Sequence, residues 1–160
     1  MSHWRKLLII GVVFLVALGT WWVWNQRNRH EEQSAERYYG TYYDEGEQPG
    51  GNGTRYACYI SIAPFQEVKI PEIVAICYSS LMLEDPHQGK QMIPAEPQPI
   101  FLKGNQVIAI VATDTDEVQK QAIGHLDGNG VLHINYFRFH KIDSRPWTEK
   151  ELQEKIREKL

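Results

Sequence analysis

Four of the five tryptophans flank a single uncharged apolar run, which limits what the N-terminal part of this chain can be. Trp4 precedes the run, and Trp21, Trp22 and Trp24 close it. Between them Leu7–Gly19 reads LLIIGVVFLVALG, without an ionisable group. An indole ring is apolar while its N–H wants a wet partner, so tryptophan gathers at membrane–water boundaries. As a helix, Leu7 to Trp24 would span roughly 27 Å at about 1.5 Å per residue, close to the ~30 Å hydrocarbon core of a bilayer. The pattern predicts a transmembrane anchor over 7–24, with Trp4, Trp21, Trp22 and Trp24 as its interfacial anchors. The main rival is a cleaved secretory signal, with Arg5 and Lys6 as basic head and Ala17-Leu18-Gly19 as cleavage site. Cleavage there would leave Thr-Trp-Trp-Val-Trp as an exposed apolar terminus, which favours retention. A buried helix of a soluble domain is the third reading. No cysteine near the end of the run could carry a lipid, and Gly11 and Gly19 lack the G-x-x-x-G spacing of a helix dimer.

Basic residues nearly balance across the run, with Arg5 and Lys6 before it and Arg27, Arg29 and Arg37 after it. The layout decides orientation: a short head (1–6), one apolar run, then a long domain. That is a signal-anchor plan, with the N-terminus cytoplasmic and the C-terminal domain outside the cytoplasm (the periplasm in a bacterium). Residues 25–37 (NQRNRHEEQSAER) read as a polar juxtamembrane stalk. Beyond it the chain is long enough for one modest core. Setting aside Arg5 and Lys6 leaves 15 basic against 20 acidic residues. No basic cluster is interleaved with aromatics, so nucleic acid is excluded as a partner.

From Tyr38 the texture turns to β, and residues 38–143 read as an antiparallel meander of six or seven strands. Arg55–Ala63 alternates, placing Tyr56, Cys58, Ile60 and Ile62 on one face. Ile73–Leu81 reads as a central strand. Asp85–Pro99, with four prolines, reads as a long irregular loop that no ladder would tolerate. Lys103–Gln106 and Asp127–Gly130 are hairpin turns between strands. Residues 144–160 switch to a helical period. Thr148 and Glu151 have capping-box spacing, Trp147 and Leu152 have hydrophobic-staple spacing, and Leu152, Ile156 and Leu160 form an apolar stripe. The expected architecture is a curved sheet or small barrel with one terminal helix packed outside.

The search for chemistry is negative. G-x-S-x-G, H-E-x-x-H, C-x-x-C and P-loop patterns are all absent. Asp114-Thr115-Asp116 and Asp127-Gly128-Asn129-Gly130 open like calcium loops, but Val118 and Val131 stand at the fifth position and neither run has Gly at the sixth. Ser79, Ser80, Asp114 and His140 would have to converge in three dimensions to serve an enzyme, and their spacing does not suggest it. Pairing residue 126 with 131 places His125 on the face of Leu132 and His140 and puts His133 on the opposite one, so the hairpin histidines share no metal. The reading is non-enzymatic, with no catalytic, cofactor-binding or metal-ligating residues. Asn52-Gly53-Thr54 is a formal glycosylation sequon, meaningful only in a eukaryotic lumen.

The two cysteines carry one structural expectation. If Ala63–Glu72 is a long loop, Ile62 opposes Ile73 and Cys58 opposes Cys77, and an oxidising compartment would join Cys58 and Cys77 as a disulfide. Two buried thiols are the alternative.

Two functional readings follow. The first is a non-catalytic, membrane-anchored protein-interaction module, an envelope-complex subunit or immunity-type binder whose partner is another envelope or extracellular protein. It rests on the bilayer anchor, the absence of catalytic constellations and the Tyr- and Pro-rich loops. The second rests on Tyr39-Gly40-Thr41-Tyr42 in a first strand, Arg138 in the last strand and a trailing helix. Together these resemble the lipocalin pattern, with Tyr42 where that family usually has Trp. The resemblance implies a closed barrel carrying a small apolar ligand or lipid, and it carries over no binding-site residue.

Overall fold

A computed structural model describes residues 17–26, 35–50, 53–65, 73–94, 97–112 and 118–160. It divides into two compact units, Met1–Ser34 and Ala35–Leu160. In the first unit the described residues form a helix over 17–26, in which Trp21, Trp22 and Trp24 are each about 60% exposed (60%, 60% and 62%). Trp4 and most of the 7–24 run lie outside the described residues. Among the described residues no helix is long and apolar enough to cross a membrane.

The second unit is β-rich, as its alternation dictates. Its strands are β1 (Gly40–Glu47), β2 (Arg55–Pro64), β3 (Ile73–Asp85), β4 (Gly89–Pro94), β5 (Gln98–Lys103), β6 (Gln106–Ala112), β7 (Val118–Leu126), β8 (Leu132–Ile134) and β9 (Phe137–Asp143), followed by a helix, Glu149–Arg157. All pairings are antiparallel, in the order β2-β1-β9-β8-β7-β6-β5-β3-β4, and β2 also pairs with β3. That last pairing closes eight strands into a barrel and leaves β4 outside the ring.

β3 explains how nine strands make an eight-membered ring. One of its edges pairs with β2 along nearly its whole length, from Arg55↔Glu84 to Pro64↔Ala75. Its other edge is shared: β5 takes Ile73–Cys77, and β4 takes Ser80–Asp85. The segment expected to be a loop therefore supplies β4 and the first two residues of β5, Gln98 and Pro99. Its prolines are accommodated because Pro86 lies in the turn before β4, Pro94 ends an edge strand, Pro97 precedes β5, and Pro99 stands near the start of β5.

The interior is packed by Tyr42, Cys58, Ile60, Ile62, Ala75, Ile100, Leu102, Val107, Leu126, Leu132 and Phe139. The chain between Leu132 and Asp143 is broken into two strands at Asn135-Tyr136, where Asn135 has φ +53°. After that turn the inward set continues with Phe137 and Phe139, so Leu132, Ile134 and both phenylalanines belong to one core. Gly124 is fixed by proximity: a Cβ there would lie 2.0 Å from the carbonyl oxygen of His133.

A second cluster lies on the outer face. Leu152 and Ile156 are fully buried against Ala57, Tyr59 and Met82. The third residue of the stripe, Leu160, lies beyond the helix end and is 52% exposed. The capping box is complete: the Glu151 amide donates to Thr148 Oγ1 (3.3 Å), and the Thr148 amide donates to Glu151 Oε2 (2.7 Å). Trp147 stacks on Tyr59 at 6.0 Å, and its indole N–H donates to Asp143 Oδ2 (2.7 Å).

Leu152→Ala, which empties a fully buried site, is expected to cost about 2–5 kcal/mol in urea unfolding of the full chain. Thr148→Ala should cost about 1 kcal/mol. A change below about 0.5 kcal/mol for Leu152→Ala, the range of a surface substitution, would mean that the helix is not seated on the sheet.

Candidate functional site

The two ends of the barrel differ in chemistry, and the difference begins with residues 35–39. Ala35 and Tyr38 are buried in the barrel core. The Tyr38 hydroxyl donates to the Gly104 carbonyl in the β5–β6 turn (3.0 Å), and Arg37 Nη2 donates to the same oxygen (2.5 Å). The Tyr42 hydroxyl donates back to the Tyr38 carbonyl (2.7 Å). From β9, Lys141 Nζ donates to the carbonyls of Arg37 and Tyr39, both at 2.8 Å, and stands 5.2 Å from the Tyr42 ring centroid. This end is sealed. Burial holds the Lys141 ammonium below its usual pKa and raises that of the Tyr42 hydroxyl. The last-strand cation that meets Tyr42 is thus Lys141. Arg138, on which the lipocalin resemblance rested, is exposed instead.

At the other end the inward apolar side chains Leu81, Ile123, Ile134 and Phe137 are only partly buried. Tyr56 meets Phe137 edge-on at 4.9 Å and Tyr136 at 5.9 Å. Asp44 Oδ2 accepts the Tyr56 hydroxyl (2.9 Å) and the Arg138 amide (2.9 Å). Burial, followed by the Asp44 carboxylate, pushes the Tyr56 hydroxyl up to about 12, so it stays a neutral donor. One carboxylate among aromatic and aliphatic walls gives this mouth its character.

Among the described residues, clefts on the outside include two of note. One, of about 560 Å³, runs between the C-terminal helix and the outer sheet face and is lined by Ala63, Tyr78, Trp147 and Lys150 among others. The hydroxyls of Ser61 and Ser80, buried in this outer layer, have no hydrogen-bond partner. The other, of about 580 Å³, lies at the sealed end between Arg37, His140, Lys141 and the β7–β8 loop.

The histidine register differs from expectation by one residue. Leu126 pairs with Leu132, not Val131, because the loop has five residues, 127–131. Asp127 builds that loop: its Oδ1 accepts the amides of Asn129 (2.8 Å) and Val131 (2.9 Å). An odd slip exchanges faces, so His125 and His133 stand opposite each other with rings stacked at 4.7 Å and nearly parallel (3°). His133 Nε2 lies 3.1 Å from Asp127 Oδ2. Among the described residues no group of three or more His, Cys, Asp or Glu is placed to hold a metal. Ser79, Ser80 and His140 are not brought together: Ser80 is buried beneath the helix side of β3, and His140 is exposed on β9. Asp114 lies outside the described residues.

The expected disulfide is not formed. Cys77 pairs with Ile62 and Cys58 with Leu81, four register positions apart, roughly 13 Å along the strand at 3.3 Å per residue. A bridge needs Cα atoms within about 7 Å. β2 runs on to Pro64, which stands opposite Ala75, so Ile62 faces Cys77 rather than Ile73, and that four-residue shift separates the thiols. Both are free, and burial pushes each up to about 12.

No protein-family profile, curated protein or solved structure matches this chain.

Two outcomes check this geometry. With thiolates suppressed, native protein should react slowly with a disulfide reagent and release two thiols in urea. Rapid native labelling, or no thiol in urea without reductant, would contradict it. Asp127 is held at about 2, chiefly by His133 and then by the Val131 amide. A carboxyl with a depressed folded pKa stabilises fully above its ordinary value of about 3.9 and loses that contribution as pH falls through about 2. Thermal stability should therefore fall less in Asp127→Asn than in the parent between about pH 4 and pH 2. Parallel pH profiles would refute the link.

Proposed function

We propose that this chain is a membrane-anchored, non-catalytic binding protein whose barrel takes up a small apolar ligand or lipid acyl chain. The observation that carries the reading is the contrast between the barrel's ends. One is sealed by Tyr38, Arg37 and Lys141, while at the other Leu81, Ile123, Ile134 and Phe137 face inward and stay partly exposed. Apolar walls with one or two placed polar groups are the usual make-up of a small-molecule site. Here Tyr56 and Asp44 would be those groups. The anchor comes from the tryptophan-flanked run over 7–24, and its orientation places the barrel outside the cytoplasm.

A partner protein is the second occupant, and one feature favours it. The β6–β7 hairpin extends past its neighbours, since β5 pairs only with Gln106–Ala109 and β8 only with Gly124–Leu126. On this extension Ile110 is 44% exposed and Val118 69%.

Photolabelling separates the two readings. Full-length chain in non-ionic detergent is irradiated with a trace of diazirine-bearing palmitate and its peptides are mapped. Label on β3 and on β8–β9 is expected, competed by excess palmitate and reduced at least fivefold by Phe137→Asp. Label confined to residues 7–24 and indifferent to excess palmitate would overturn the ligand reading in favour of the protein partner.

A further inference from the structure

We infer that the cleft at the sealed end is an anion site for a phosphate group, either a phosphate ester or inorganic phosphate. The cleft is independent of the lumen and lies on the outside of the seal. Three of its lining side chains, Arg37, His140 and Lys141, are basic, in a chain whose formal net charge is −3. Its one acidic side chain, Asp127, is already committed. Oδ1 takes two amides of its own loop, and Oδ2 faces His133. The cations are committed differently. Lys141 Nζ gives two of its three protons to carbonyls, and among the described residues the Arg37 guanidinium is spent on the Gly104 carbonyl and on Tyr38 beside it, less than its five N–H groups can serve. Protons of both groups are thus left for a ligand, and an arginine fork suits two phosphate oxygens at once.

The loop adds one main-chain donor. Gly128, Asn129 and Gly130 all line the cleft, and Gly130 has φ +79°. The amides of Asn129 and Gly130 turn back to Asp127, whereas the Gly128 amide donates to no group among the described residues. Glycine-rich turns that present amides beside basic side chains form anion-binding concavities. A volume of about 580 Å³ exceeds what a bare ion needs and leaves room for the rest of a headgroup-sized ester.

The test uses full-length protein in a non-ionic detergent, titrated calorimetrically with inorganic phosphate and with glycerol 1-phosphate, and then with micelles doped with phosphatidylglycerol or with phosphatidylcholine as the zwitterionic reference. Saturable binding of at least one phosphate probe is expected, weakened at least fivefold by His140→Gln and by Arg37→Gln and unchanged by His125→Gln, which lies outside the cleft. His140 is exposed, so its variant reports on the site even where Arg37→Gln disturbs the seal. Binding of phosphate alone assigns the site to a soluble anion, and binding confined to phosphatidylglycerol assigns it to a lipid headgroup. No saturable binding of any phosphate probe, or an affinity that both cleft variants leave within twofold, would overturn the site. Neither result bears on labelling of the lumen, so the two proposals fail separately.

Discussion

The barrel depends on a seam where side chains replace a ladder. β1 and β9 are neighbours in the ring, yet they share only three register pairs, Thr41↔Asp143, Tyr42↔Lys141 and Tyr43↔His140, with an irregularity between the first two. Three side chains hold the rest. Thr41, fully buried, accepts the Trp147 amide and donates to the Arg145 carbonyl, both at 2.9 Å. Lys141 ties β9 to the carbonyls of Arg37 and Tyr39, ahead of β1. Asp44 takes the Arg138 amide at the opposite end of the seam. Hydrogen bonds to charged groups contribute about 1.5–3 kcal/mol each, and a buried polar group without a partner costs about as much. A seam built this way is strong while complete and costly to break at any one member. Gly40 belongs to it too, because at φ +137° a Cβ would lie 2.5 Å from the Asp143 carbonyl oxygen.

The same seam gives the barrel its polarity. Lys141 and Tyr38 spend their polar groups closing one end, and the fully buried Tyr42, Leu132 and Phe139 lie within. Nothing equivalent spans the other end among the described residues, where Tyr56, Phe137 and Asp44 surround partly exposed aliphatic side chains. The C-terminal helix covers the outer faces of β2 and β3, stapled by Trp147 and by the two-pronged Arg145–Glu151 pair (3.1 and 2.9 Å). That arrangement puts the partly buried aliphatic side chains at one end of the barrel and the basic cleft of Arg37, His140 and Lys141 at the other.

Local chemistry was legible in the residues themselves. The capping box, the staple, the alternation of β2 and the Lys103–Gln106 turn stand where spacing puts them, because each is decided within a few residues. Register was not. Asp127 accepting two amides of its own loop lengthens the turn by one residue, and that single step carries His133 to the face of His125. A four-residue shift between β2 and β3 separates Cys58 from Cys77. The prolines of 85–99 argued against strands, yet they fall at a turn, an edge and a strand start, positions that only the tertiary arrangement reveals. Lys141 carries no local mark of its role, since its acceptors lie about a hundred residues away (102 and 104). The tryptophan-flanked run is the reverse case: plain in sequence, with most of it outside the described residues.

The polarity of the lumen is open to direct measurement by methyl NMR of the full-length chain with a doxyl-labelled stearate. Relaxation enhancement should be strongest at the methyls of Leu81, Ile123 and Ile134, weaker at Ile62 and Leu132 near the seal, and absent at Leu152 and Ile156 under the outer helix. Enhancement centred on Leu152 and Ile156, or equal at both ends of the barrel, would contradict a lumen sealed at one end and open to ligand at the other.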